Sequence, residues 1–159
     1  MAALSADVAT IYLVRHADAG DRHRWRGDDR QRPLTASGQR QAEALVQTVG
    51  TTPVRRILSS PYLRCVQTVE PLAKLADLPV EDTSALEEGI APPTALRCLQ
   101  GLPDGAVACS HGDVIQAVLR HLEQRGIVQP EQVRLEKGST WILQRAGINF
   151  TAARYLPAP

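Results

Sequence analysis

Apolar residues in this chain are spaced in two ways that alternate along its length. Short, almost unbroken apolar runs give way to longer segments in which apolar positions recur every three or four residues. The first run, Ile11-Tyr12-Leu13-Val14 inside a strand read as Thr10–Val14, has the continuous character of a strand covered on both faces. It ends abruptly in Arg15-His16. In Pro33–Gly50, residues Ala42, Leu45, Val46 and Val49 fall at i, i+3, i+4 and i+7, which predicts a helix that Gly50 can close. Arg55–Ser60 predicts a short strand. Ser60–Ala76 then predicts a helix with Ser60 as N-cap, Pro61 at the first helical position and a kink or interruption at Pro71.

Further on, Leu78–Val80 predicts a short strand or an extended link, Thr83–Pro93 a loop and Thr94–Leu99 a short helix. Ala106–Ser110 is another strand of the buried type. His111–Gly126 follows as a helix, with Ile115, Val118, Leu119 and Leu122 on one face and Gly126 past its end. Two last strands, about Ser139–Gln144 and Ile148–Tyr155, flank Ala146-Gly147 as a hairpin. Strands alternating with helices predict an α/β fold with a mostly parallel central sheet and an antiparallel edge. No repeat, low-complexity tract or linker divides it, so residues 1–159 read as one domain.

Composition narrows the function classes. The chain is long enough to bury roughly 70% of its unfolded surface, so its core needs no staples. A net charge of +1 argues against a partner held by bulk electrostatics, and neither nucleic acid nor a membrane surface is expected. Cys65, Cys98 and Cys109 are widely spaced and unpaired in pattern, as expected of reduced, mostly buried thiols rather than a disulfide framework or a zinc site. The first residues carry no basic region, and the apolar run behind them is short and stopped by Arg15. This excludes a signal peptide or a membrane span in that run and makes the cytoplasm the expected compartment.

Candidate chemistry gathers at strand ends. In open α/β sheets ligands sit outside the carboxyl ends of the strands. The first strand ends in Arg15-His16, the second leads through Ser59-Ser60-Pro61 to Arg64, and the third ends in Ser110-His111-Gly112 as a helix begins. If the three strands are parallel neighbours, two arginines and two histidines converge near helix N-termini, where free N–H groups favour an anion. Guanidinium forks match phosphate oxygens, and an imidazole can attack phosphorus or donate to an oxygen.

These residues carry a resemblance. LVRHA (Leu13–Ala17), SSPYLRCVQT (Ser59–Thr68), LEEG (Leu86–Gly89) and CSHGDVI (Cys109–Ile115), in that order, resemble the histidine phosphatase superfamily, the phosphoglycerate-mutase-like group. Gly27–Leu45 is more similar to the small bacterial phosphohistidine phosphatases and to the phosphatase domain appended to some Nudix hydrolases. KGSTWIL (Lys137–Leu143) also resembles that appended domain. One position departs: Ala17 stands where many members have glycine.

The resemblance implies a three-layer sandwich and a set of roles. His16 is the implied nucleophile, forming a phosphohistidine intermediate that water hydrolyses. Arg15 and Arg64 are implied phosphate clamps, and His111 stabilises the charge of the transferring group. Glu88 is the implied acid and base, with Glu87 as its neighbouring alternative. No metal or cofactor is expected, because side-chain cations can supply the electrostatics of phosphoryl transfer. Ser110 and Gly112 are expected to shape the turn.

The arginine-rich segment Asp21–Arg32 admits two readings. Arg26 or Arg32 reaches a second phosphate or acidic group and Trp25 stacks on a ring, or the arginines pair with Asp28 and Asp29 as a solvated loop. His23 and His121 read as surface residues. The expected function is a phosphatase, with a phosphorylated small molecule or a phosphohistidine protein as its partner. Glu88 favours the first, since an alkoxide leaving group needs a proton. The contrasting class is a catalytically weak phosphate-binding or regulatory module, against which the intact His16 counts.

Overall fold

The computed structural model describes residues 7–159. The six residues before them, used above in reading the amino terminus, lie outside that range. Six strands form one sheet: β1 (Val8–Arg15), β2 (Arg56–Ser59), β3 (Val80–Asp82), β4 (Ala106–Ser110), β5 (Thr140–Ala146) and β6 (Asn149–Leu156). Four helices, α1 (Ala36–Thr48), α2 (Leu63–Ala76), α3 (Pro92–Gln100) and α4 (Gly112–Gln124), connect them. The strand order is β3-β2-β4-β1-β5-β6. The first four of these run parallel, while β5 pairs antiparallel with both β1 and β6. The expected mostly parallel sheet with an antiparallel edge is therefore present.

The two-residue period of the strands divides the core. Ile11 and Leu13 of β1 join Ala106 and Ala108 of β4 on one face, against Leu99 of α3 and Ile115, Val118, Leu119 and Leu122 of α4. Val14, Ile57, Val107 and Cys109 point the other way, against Leu45 of α1, Val49 just past its end, and Cys65, Val69 and Leu72 of α2. Both faces are covered, which is why the central strands read as continuous apolar runs. The result is three layers, helices on sheet on helices. The three cysteines are free, Cys65 and Cys109 buried and Cys98 half-buried.

Several boundaries differ from the sequence reading for identifiable reasons. α2 begins at Leu63 with Tyr62 in the N-cap position, so Ser60 and Pro61 lie before the helix. The Ser60 hydroxyl accepts from the Tyr62 N–H at 3.3 Å, a turn ahead of the helix rather than a cap on it. Pro71 lies inside α2 without interrupting it. Buried Cys65, Thr68, Val69, Leu72 and Ala73 anchor the helix on both sides of the proline, and the carbonyl it leaves free belongs to half-exposed Gln67. The third strand is Val80–Asp82, and a short helical turn at Ser84–Leu86 falls in the expected loop. α3 starts at Pro92, two residues early, because Pro92 and Pro93 fit the first helical positions. The hairpin turns at Gly147-Ile148, since Ala146 already pairs with Asn149 and Gly147 holds φ +60°.

The sheet lines up the chemistry. Arg15 pairs with Ser110 across β1 and β4, and Ser59 pairs with Cys109 across β2 and β4. The next residues continue the pattern: the His16 N–H donates to the Ser110 carbonyl at 3.0 Å and the Ser60 N–H to the Cys109 carbonyl at 2.9 Å. His16, Ser60 and His111 therefore leave the sheet side by side. Among the described residues no helix is long and apolar enough to cross a membrane.

Behind the first strand, α1 packs its start against the loop that follows His16. Thr35 caps α1 by accepting from the Gly38 N–H at 3.0 Å, and its own N–H donates to the Asp18 carbonyl at 3.0 Å. A Cβ on Gly38 would lie 2.0 Å from that Asp18 oxygen. Gly38→Ala should therefore destabilise the protein by about 2 kcal/mol or more in a urea titration. Gly101→Ala, whose Cβ would sit 3.6 Å from its nearest neighbour, is the control and should stay within ~0.5 kcal/mol of the parent.

Candidate active site

His16 is held as a neutral base. Its Nδ1–H donates to the Ala17 carbonyl at 2.8 Å, and because a carbonyl only accepts, the proton is on Nδ1 and the lone pair on Nε2. Burial is the largest influence on its titration, and nearby His111, Arg64 and Arg15 act in the same direction, holding the pKa down at about 3 against the pull of the Ala17 carbonyl. Ala17 is fully buried, its N–H donating to the Thr68 hydroxyl at 2.9 Å, and its φ is not positive. The position occupied by glycine in many relatives thus needs no left-handed backbone here.

Three cationic or imidazole groups surround that ring. The His111 ring lies 5.5 Å from that of His16, centroid to centroid, and its Nε2 is 2.8 Å from the Ser60 hydroxyl and 3.5 Å from the Cys65 sulfur. Tyr62 packs edge-on against His111 at 4.8 Å and under the Arg64 guanidinium at 4.9 Å. Arg64 is fully buried, donating through Nη1 to the Asp29 carbonyl at 2.9 Å and through Nη2 to the Asp29 carboxylate at 3.1 Å. Arg15 donates through Nη1 to the Leu135 carbonyl, and its guanidinium lies against Gly112 at the start of α4, where a Cβ would meet it at 3.1 Å. Gly112 makes room for Arg15, while the Ser110 hydroxyl donates to the Leu86 carbonyl at 2.7 Å.

One feature of this cluster is unusual for a protein interior. Arg15 Nε, Arg64 Nε and His111 Nδ1 are buried and have no hydrogen-bond partner. Buried polar groups are normally satisfied, and leaving one unpaired costs roughly 1–3 kcal/mol. Three such nitrogens belong to residues near one imidazole, at the ends of β1 and β4 and in the first turn of α2. Guanidinium and imidazole N–H groups of this kind can donate to an oxyanion.

The acidic side of the site is formed by the Leu86–Gly89 turn. One Glu88 carboxylate oxygen lies 3.4 Å from Arg64 Nη2 and the other 2.6 Å from Arg22. Glu87 instead pairs with Arg30 at 2.6 Å. Of the two glutamates, the structure thus brings Glu88 to Arg64. The Gly89 N–H donates to the Asp113 carboxylate at 2.7 Å, tying this turn to α4.

A cleft of ≈ 510 Å³ opens beside His16, lined by Arg15, Asp18, Arg22, Arg32 and Lys137 among others. Arg32 is buried and turned inward, donating to the Asp29 carboxylate at 2.9 Å and to the Ala19 and Gly20 carbonyls at 2.6 and 3.2 Å. Trp25 and Arg26 lie outside this cleft. The Trp25 indole donates to the Asp28 carbonyl at 3.0 Å and the Arg26 side chain is exposed. In the arginine-rich segment the pairing of arginine with Asp29 is present, while Glu87 and Glu88 take Arg30 and Arg22. His23, an exposed residue, also lines the cleft. The residues that sequence reasoning missed are Arg22, Tyr62 and Lys137, together with the reach of Asp29 to Arg64. All lie in stretches singled out by the sequence, Arg22 and Asp29 in Asp21–Arg32, Tyr62 in Ser59–Thr68 and Lys137 in Lys137–Leu143, but only the packed layers give them a place in the site. Among the described residues no group of three or more His, Cys, Asp or Glu side chains is arranged to hold a metal ion.

The model of the histidine phosphatase superfamily (branch 1) matches residues 11–90, which include Arg15, His16, Arg64 and Glu88. The chain belongs to this superfamily. This histidine phosphatase domain is 36% identical over 160 residues to an 8-oxo-(d)GTP phosphatase of Mycolicibacterium smegmatis, an alignment covering 96% of this chain and 49% of that protein. It thus spans about half the length of that curated relative. Among solved structures, YhfR of Bacillus stearothermophilus matches with a TM-score of 0.74 at 16% identity, over 91% of this chain and 95% of that one. The protein histidine phosphatase SixA, solved with tungstate, matches with a TM-score of 0.67 at 20% identity, over 91% and 95% of the respective chains. At such identities these two likenesses establish the fold.

The buried neutral His16 of the phosphatase domain has a measurable signature. In the unfolded chain it titrates near ~6.5, so as pH falls the unfolded state takes up a proton that the folded state refuses until about 3. Stability tied to this group is complete above pH ~6.5 and is lost progressively below it. The urea midpoint of the wild type should therefore fall more steeply between pH ~7 and ~5.5 than that of His16→Gln. Parallel profiles would show that His16 titrates alike in both states.

Proposed function

We propose that this domain hydrolyses phosphomonoesters by two successive phosphoryl transfers through His16. The observation that carries this reading is that Arg15, Arg64 and His111, each with a buried nitrogen left unpartnered, lie near an imidazole whose Nε2 is unprotonated. They offer N–H donors to the phosphoryl oxygens, while Nε2 offers its lone pair to phosphorus.

In the first transfer the His16 Nε2–P bond forms as the P–O bond to the leaving group breaks. Glu88 gives the leaving oxygen its proton. In the second, Glu88 takes a proton from water, the water oxygen bonds to phosphorus, and the N–P bond breaks to release inorganic phosphate and neutral His16. The Nδ1–H bond to Ala17 holds the ring in one tautomer through both transfers and helps disperse the charge it acquires. Arg64 couples the two ends of the reaction, since the guanidinium beside the phosphoryl group also contacts Glu88.

A small phosphorylated molecule is the substrate class this geometry supports best. Glu88 stands beside the cluster as the proton source that an alkoxide needs, and imidazole leaving groups demand less of it. The relative named 8-oxo-(d)GTP phosphatase supports the same class. Open access to the cleft past exposed His23 supports a protein-borne phosphohistidine as the second reading.

The reading is tested by hydrolysis of 4-nitrophenyl phosphate and by trapping the intermediate. His16→Ala should lower kcat by about 10³-fold or more and abolish an acid-labile phosphoenzyme formed one-to-one by the wild type. Wild-type rates in His16→Ala would remove His16 from the chemistry. Glu88→Gln should slow alkyl phosphates by roughly 10²-fold and aryl phosphates far less. An equal effect on both would move the proton to another group.

A further inference from the structure

The cluster around His16 accounts for one phosphoryl group, yet the ≈ 510 Å³ cleft beside it is also lined by Arg22 and Lys137, with Asp18 and Asp21. Lys137 begins the KGST stretch ahead of β5, and its backbone is strapped to the nucleophile. The Gly138 N–H donates to both the Arg15 and His16 carbonyls at 3.1 Å, and the Arg15 N–H donates to the Ser139 carbonyl at 3.0 Å. Gln41 holds the strap from the α1 side, donating to the Lys137 carbonyl at 3.2 Å. Gly138 sits at φ +82° with the Gln41 side chain 3.2 Å from where its Cβ would be, so the turn is both left-handed and crowded.

The other cations of the cleft are already engaged. Arg22 is paired with Glu88 at 2.6 Å, Arg32 with Asp29 and two carbonyls, and Arg15 with the Leu135 carbonyl. Lys137 has the loosest partner. Its Nζ is 3.5 Å from Asp18 Oδ1, its side chain is 40% exposed, and the other Asp18 oxygen already accepts from the Thr35 hydroxyl at 2.6 Å. An ammonium on a flexible four-carbon stem, anchored at its base and weakly held at its tip, can turn toward an incoming anion with little loss.

We infer that Lys137 forms a second anion subsite, and that the favoured substrates are phosphomonoesters carrying a further phosphate or carboxylate group. This rests on the phosphatase reading and specifies its substrate. One of the two readings of the arginine-rich segment gives such a group to Arg26 or Arg32; the structure turns Arg32 inward, leaves Arg26 outside the cleft and puts Lys137 in it.

The test compares kcat/KM for glucose 1,6-bisphosphate and glucose 6-phosphate, which differ by one phosphate. The wild type should favour the bisphosphate by about tenfold, the worth of one charge-assisted contact. Lys137→Gln should bring that ratio near unity through a raised KM for the bisphosphate, Lys137→Arg should retain it, and Lys74→Gln, a charge change on exposed α2 surface, should leave it untouched. A wild-type ratio near unity, or a ratio that survives Lys137→Gln, would overturn the subsite while His16-dependent hydrolysis of both sugars left the phosphatase reading intact. Hydrolysis that did not depend on His16 would overturn both.

Discussion

The parallel pairing of β4 with β1 on one side and β2 on the other is the constraint on which the site depends. Through it the Ser110 carbonyl receives the His16 N–H and the Cys109 carbonyl receives the Ser60 N–H. Three strands that rise together also end together, so the residues just past each end are neighbours although far apart in the chain. A slip of one residue in this register would exchange the faces of every strand side chain and turn His16 away from His111. Helices on both faces prevent such slippage, because each strand residue already has a buried partner on its own side.

That framework carries an electrostatic load. Arg64 is fully buried, His111 and His16 nearly so, and Arg15 is packed against the start of α4. Burying cations with unpaired nitrogens is unfavourable, and the surrounding fold tolerates it because most of the desolvated charge is shared out. Asp29 and Glu88 face Arg64, the Leu135 carbonyl receives Arg15, and Ser60 meets His111. What is left unpaired in this cluster is Arg15 Nε, Arg64 Nε and His111 Nδ1. Function of this kind commonly stands where a protein departs from the usual rules of interior polarity.

The arginine-rich loop supplies much of this balance. Its sequence admits either substrate binding or a solvated, self-paired loop; in the fold Arg32 uses its guanidinium to staple the loop to itself, and Asp29 in the same loop reaches Arg64 across 35 residues of chain. Arg30 and Arg22 hold the Glu87-Glu88 turn. The loop is thus a scaffold that holds the acidic turn beside Arg64. Its charges cancel locally, in keeping with a chain of net charge +1.

The sequence by itself determined the alternation of strands and helices, the faces each buries, and the placing of Arg15, His16, Arg64 and His111 at the ends of elements. These are properties of spacing along the chain, set by the periods of strand and helix, so they can be read without knowing what lies opposite. Tertiary structure alone decided which charges face one another. The unbroken passage of α2 through Pro71, the transfer of Ser60 from helix cap to partner of His111, and the inward turn of Arg32 each follow from contacts absent in the local sequence. Lys137 enters the cleft for the same reason, its position being fixed by hydrogen bonds to a strand more than a hundred residues away. Backbone period is a local property; the partner of a long polar side chain is whichever group the packed layers bring within a few ångströms.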